Sequence, residues 1–262
     1  MAKAVTQPRP YWHVDLKWIF GILFLISLQL TILFVNLYVL TNEKNGVDIS
    51  THLVATAFSR NGLDDGSDLV AAKKQIAQSP DKRIYPIPKN KEVFITEEDL
   101  NTLSPREIRY KTFRKITEPL YKMGLDEYAS RFAPDQQSRE QFRQSAFLLS
   151  VFTAKTHKAI GGWLVLFIGI SLVFLAGLVF FSSGFGRFVS PAIVSIMVGL
   201  FALPLAVISS ASKSGPEPPQ WQEAVAPIVG ISAGIYLILL ISGIVLLVAA
   251  GIGHAVTKRK TK

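Results

Sequence analysis

The 262-residue chain contains no cysteine, which excludes disulfide staples and thiolate-based metal or redox chemistry. Its four histidines, His13, His52, His157 and His254, fall at neither His-x-x-x-His nor Glu-x-x-His spacing, so no metal-ligand pair is expected. Charged residues are 18% of the chain and are missing altogether from residues 18–40, 161–182, 188–210 and 227–253. Each of those runs is long enough to cross a bilayer as a helix. Their lack of any carboxylate or basic group counts against ion- or proton-coupled transport, which needs ionisable groups at membrane depth.

What is present divides accordingly. The fold class expected is an all-α membrane protein: four transmembrane helices, with a mainly helical extracytoplasmic domain at 41–158 inserted between helices 1 and 2. The first run is too long for a signal-peptide core and is followed by Thr41-Asn42-Glu43-Lys44, not by a small-residue cleavage site, so it reads as a retained anchor. Residues 1–17 form the N-terminal flank, 211–226 a Pro-rich loop, and 254–262 a basic tail. Lys3, Arg9, Lys17, Arg187, Lys258, Arg259, Lys260 and Lys262 lie on one side of this arrangement, against Lys213 alone in the 211–226 loop. The excess of Lys and Arg places both termini in the cytoplasm and residues 41–158 outside. The net charge of +9 is therefore mostly topology, and a nucleic-acid partner is not expected. Short termini, absent cysteines and an insert without Asn-x-Ser/Thr acceptors point to a prokaryotic cell envelope.

Within the runs, Trp12, Trp18, Trp163 and Trp221 fall near the ends, where amphipathic rings favour the headgroup layer. Gly162, Gly169, Ala176 and Ser183 recur every seven residues, and Ser195, Gly199 and Ala206, then Gly230 and Gly234, repeat the idea. These small residues are expected to let helices 2, 3 and 4 approach closely, within one chain or against a second copy. Gln29 and Asn36, also seven apart, are expected to hydrogen-bond across helices, and Pro204 should kink the third run.

In the insert, helical periodicity over 50–60 puts Leu53, Val54, Ala57 and Phe58 on one side, and 68–78 does the same with Leu69, Ala72 and Ile76. Residues 61–67 (Asn-Gly-Leu-Asp-Asp-Gly-Ser) fail the spacing of a calcium loop and read as a turn and cap. Pro86 and Pro88 force an extended segment or short hairpin over 80–95, its apolar residues packed on the helices. Thr96 and Ser104 each read as a helix cap, the second with Pro105 at the first helical position and Glu107 completing a capping box. The helix that follows carries Arg106, Arg109, Arg114, Lys115 and Lys122, a candidate surface for anionic lipid headgroups or an acidic partner. A further helix from Pro134 shows no breaker before Gly161 and is expected to run straight into the second span.

No catalytic constellation emerges. His157, beside Lys155 and Lys158 at the expected membrane surface, is the single candidate general base, for a lipid-linked substrate with a Ser or Thr nearby. In outline the chain is similar to the bacterial lipoprotein intramolecular transacylases, a family that uses outer-side histidines near the membrane. The resemblance covers topology alone: the nearest local likeness, residues 104–110, holds no histidine, and no residue role is carried over. The reading that results is a binding or scaffold subunit without cofactor or metal, partnered by membrane lipids and by an envelope protein or a second copy. Outer-leaflet acyl transfer or hydrolysis through His157, and an envelope sensor, are the alternatives.

Overall fold

In a computed structural model, which describes residues 11–59, 63–86, 91–133, 135–211 and 220–260, the chain is a multi-pass membrane protein of all-α class. Two compact units are formed, one from Met1–Asn36, Gly161–Ser209 and Val229–Lys262, the other from Leu37–Ile160 and Ser210–Ile228.

The long apolar helices are α1 (Tyr11–Leu40), α8 (Ala154–Phe181), α9 (Gly186–Gly199), α10 (Ala202–Ala211) and α11 (Gln220–Lys260); most of their length makes the first unit, while the end of α1 and the starts of α8 and α11 belong to the second. Four spans follow from them: Trp12–Leu40, Ala154–Phe181, Gly186–Ser210 and Val225–Lys258. The third is broken between α9 and α10, and the cause is Pro204. A proline ring collides with the carbonyl four residues back, here that of Leu200. The Leu200 amide keeps its bond to the Ile196 carbonyl at 2.9 Å, but the ladder then tightens: Phe201 bonds to the Val198 carbonyl at 3.3 Å and Leu203 to the Leu200 carbonyl at 3.1 Å. Trp12, Trp18 and Trp163 are exposed, as rings facing lipid would be.

Backbone approach is concentrated where α9 meets α11. A Cβ on Gly199 would stand 2.5 Å from the Leu240 nitrogen, and one on Gly243 would stand 2.9 Å from the Ile196 nitrogen. Near this contact Ile32, Val198, Ala202 and Tyr236 form a buried cluster, and Phe24, Leu178 and Val194 form a second.

The second unit contains α2 (Glu43–Phe58), α3 (Ser67–Gln78), α4 (Glu97–Thr102), α5 (Pro105–Met123), α6 (Leu125–Phe132) and α7 (Gln136–Ser145). Between α3 and α4 the chain makes an antiparallel pair of two-residue strands, β1 (Arg83–Ile84) and β2 (Ile95–Thr96), with Arg83 opposite Thr96. Both expected caps are formed: Thr96 with Asp99, and Ser104 with Glu107, close full capping boxes at α4 and α5. Ile76, Leu100 and Ile108 make the core, with Leu69, Ala72, Ile84 and Ile95 against it. The apolar residues of the Pro-containing hairpin are thus packed, as the sequence suggested; Ile87 lies outside the described residues.

Two expectations are corrected. The buried side of α2 is not the one carrying Leu53, Val54, Ala57 and Phe58; Phe58 is 72% exposed. The helix begins earlier, capped by Asn42, and turns Gly46, Val47, Ser50, Thr51 and Ala55 inward. These small side chains let α5 come close, and Thr51 is satisfied across the contact by the Thr117 hydroxyl at 2.6 Å. Nor does one helix run on into α8. The chain stops at Ser145, makes a 3₁₀ turn over Phe147–Val151, bends, and restarts at Ala154. The restart is capped by Thr153, whose hydroxyl accepts from the Thr156 amide at 3.3 Å, a device with no Gly or Pro to announce it.

Candidate functional site

The five basic residues of α5 singled out from the sequence, Arg106, Arg109, Arg114, Lys115 and Lys122, all lie on the second unit, but each is engaged within the chain. Arg106 grips Asp64 with two bonds of 3.0 and 2.7 Å, holding that carboxyl below the usual range. Arg109 is buried and donates to the carbonyls of Leu63 and Asp65. Together they tie down the acidic turn after α2, which explains acids there without a cation. Arg114 pairs with Asp48 at 3.0 Å, and Lys122 with Glu43 and Glu118 at 3.5 and 3.0 Å.

Lys115 differs from the other four. Its ammonium lies 3.9 Å from the centre of the Phe94 ring and donates to the Phe94 carbonyl at 3.2 Å. The Arg83 guanidinium lies over the same ring at 4.5 Å. Burial pushes the Lys115 pKa down, and the charges of Lys111 and Arg83 add to the effect while Asp99 opposes it. Two shallow, open grooves meet at Phe94 and Lys115. One runs past Glu92, Glu118 and Lys122 to Met123; the other passes Thr96, Asp99, Thr102 and Lys111. Phe94 was expected to be packed, but the sequence carries no signal that its ring would be shared by two cations.

His157 stands at the start of α8, half-buried. Its ring stacks on Tyr38 at 4.2 Å between centroids, and its Nδ1 is 3.1 Å from the Thr41 hydroxyl. That hydroxyl also donates to the Leu37 carbonyl at 2.7 Å, so its proton is committed and Nδ1 is the donor toward Thr41. Nε2 is then the ring nitrogen left to accept. Thr41 is wholly buried, which keeps its hydroxyl from a substrate approaching through solvent.

Among the membrane residues, Gln29 reaches across helices and donates to the Tyr236 hydroxyl at 3.0 Å, while Asn36 donates to the Ile32 carbonyl of its own helix. A contact that sequence reading missed joins Thr31 to Ser171, hydroxyl to hydroxyl at 2.8 Å. The stripe Gly162, Gly169, Ala176 and Ser183 is exposed, and a Cβ on either glycine would meet nothing within 4 Å. The glycine of α8 that packs is Gly177, against Phe20. Gly234 is likewise open, and Gly230 makes an ordinary contact with Ser209. Among the described residues no three His, Asp or Glu side chains gather as metal ligands.

No protein-family model matches the chain, and neither does any curated protein or solved structure.

Proposed function

We propose that the chain is a binding or scaffold subunit of the cell envelope, with both termini cytoplasmic, and that it acts through an extracytoplasmic domain at 41–158. The observation that carries this reading is Lys115. A lysine whose charge is disfavoured by burial and by neighbouring cations works against the stability of the free fold. Its position over Phe94, where two shallow grooves of mixed charge meet, suits the polar rim and aromatic centre of a protein–protein contact. An enclosed, mostly apolar pocket of the kind small molecules use is a different geometry. The partners are membrane lipids around the spans and an envelope protein, or a second copy, at the grooves.

Gentle crosslinking in native membranes, followed by mass spectrometry, tests the reading. A stoichiometric partner linked through Lys111, Lys115 or Lys122, and lost in Lys115→Glu with the fold unchanged, is the expected result. A monomer accompanied only by lipid would sink it.

A second reading, acyl transfer or hydrolysis at the outer leaflet, draws on His157 as general base, its ring held by Tyr38 and Thr41, with Thr41 itself not the nucleophile. It requires His157→Ala to abolish turnover of a lipid or lipoprotein substrate; undiminished turnover in that variant removes it.

A further inference from the structure

The turn over Phe147–Val151 leaves Phe147 67% and Leu148 71% exposed, with Val151 exposed behind them, immediately before a membrane span. We propose that this turn is an interfacial lipid anchor: Phe147 and Leu148 enter the surface of the bilayer that α8 crosses.

Depth follows from helix geometry. The stacking of Tyr38 on His157 puts these two residues at one level. From Trp18 to Tyr38 along α1 is about 30 Å at ~1.5 Å per residue, the thickness of a hydrocarbon core. Trp18 and Tyr38, both exposed aromatics with a polar tip, suit its two edges. Ala154 precedes His157 by three residues and stands roughly 4.5 Å farther out, in the headgroup layer.

The turn is also bound to that level. The Ser150 carbonyl accepts from the hydroxyls of Thr153 and Thr156 at 3.2 and 2.9 Å, clamping the 3₁₀ segment to the first turn of α8. Lys155 and Lys158 are exposed in the same layer, where their ammonium groups can meet lipid phosphates while their stems stay against the membrane. An apolar pair held at this depth finds acyl chains within reach, and burying it there removes two large side chains from water. The inference rests on Ala154–Phe181 crossing the membrane and is independent of any partner at Lys115.

A chain without cysteine allows a clean test. Phe147→Cys, Leu148→Cys and, as a water-facing reference, Gln137→Cys are each nitroxide-labelled and reconstituted in nanodiscs of phosphatidylethanolamine and phosphatidylglycerol. Collisions with oxygen and with a water-soluble nickel chelate are then measured. The expected result is a several-fold preference for oxygen at 147 and 148 relative to 137. Nickel access at both positions equal to that at 137 overturns the proposal, because the turn is then in water. Exclusion of both reagents overturns it too, since protein would be covering the pair.

Discussion

The Tyr121 hydroxyl donates a 3.0 Å hydrogen bond to the main-chain carbonyl of Thr41, the residue where α1 gives out. Burial, and then the carboxylate of Glu43, push the phenol pKa up, so Tyr121 remains a donor. Gly46 makes room for the ring: a Cβ there would stand 3.1 Å from its Cε2. The Thr41 side chain meanwhile holds Leu37 and His157. One buried residue of the second unit thus bonds to Leu37, His157 and Tyr121.

Tyr121→Phe keeps the ring and deletes that donor. The Thr41 carbonyl loses its side-chain partner in a buried place, a loss of about 1–2 kcal/mol. Denaturant unfolding of the purified protein, followed by a probe confined to the second unit, should show the lowered midpoint. An unchanged midpoint would mean that water satisfies the carbonyl equally well.

Gly199 and Gly169 give opposite expectations for the same substitution. Gly199→Ala drives a methyl into the Leu240 backbone, which cannot rotate away, and forcing α9 and α11 apart costs roughly 1–3 kcal/mol. Gly169→Ala meets open space and should be neutral or gain up to about 1 kcal/mol of helix propensity. Thermal unfolding in detergent separates the two. If Gly169→Ala instead lowers stability and abolishes an oligomer, the exposed stripe of α8 is packing against a second copy.

These glycines also mark how far the sequence could be read. Charge-free runs of bilayer length announced the spans, Pro204 announced the break in the third, and Thr96 and Ser104 announced helix starts through their acidic partners three residues on. Each of those signals is local. Seven-residue spacing shows that Gly162 and Gly169 share a face of α8 but not whether a neighbour lies there; the close contact falls instead at Gly177, partway round the helix. The buried side of α2 was hidden for a related reason, since Gly46, Ser50, Thr51 and Ala55 pack by being small, and Thr51 by bonding to Thr117 of α5, not by being apolar. Lys115 was visible as one of five basic residues, yet its placement over Phe94 depends on the hairpin returning to α5, which no spacing encodes.

Gln29 and Tyr236 are coupled through a single side-chain bond between α1 and α11. A double-mutant cycle of Gln29→Leu and Tyr236→Phe should give an interaction energy of about 0.6 kcal/mol, rising to roughly 1.7 at most, because interhelical bonds in membranes are modest. Steric trapping or unfolding in mixed micelles would measure it. A coupling of zero would place the bond outside the energetics of the bundle.

Asp99 contributes to the acid sensitivity of the second unit. Burial alone would raise its pKa, but bonds from Lys111 and from the amide and hydroxyl of Thr96 outweigh it and hold the carboxyl below its ordinary value of 3.8. A depressed folded-state pKa means that the unfolded chain binds the proton first on acidification. The stabilisation is therefore complete above the unfolded value and drains away as pH falls from about 4 through the folded value. Lys111 is half-exposed, so solvent screens its charge, and the bond from the Thr96 amide to the carboxylate adds to the effect. Asp99→Asn should cost about 1–2 kcal/mol at neutral pH and flatten the dependence of stability on pH below about 4, where wild type loses the advantage the variant never had. Unfolding midpoints of both proteins across that range decide the matter: parallel curves would assign the acid sensitivity to other carboxylates.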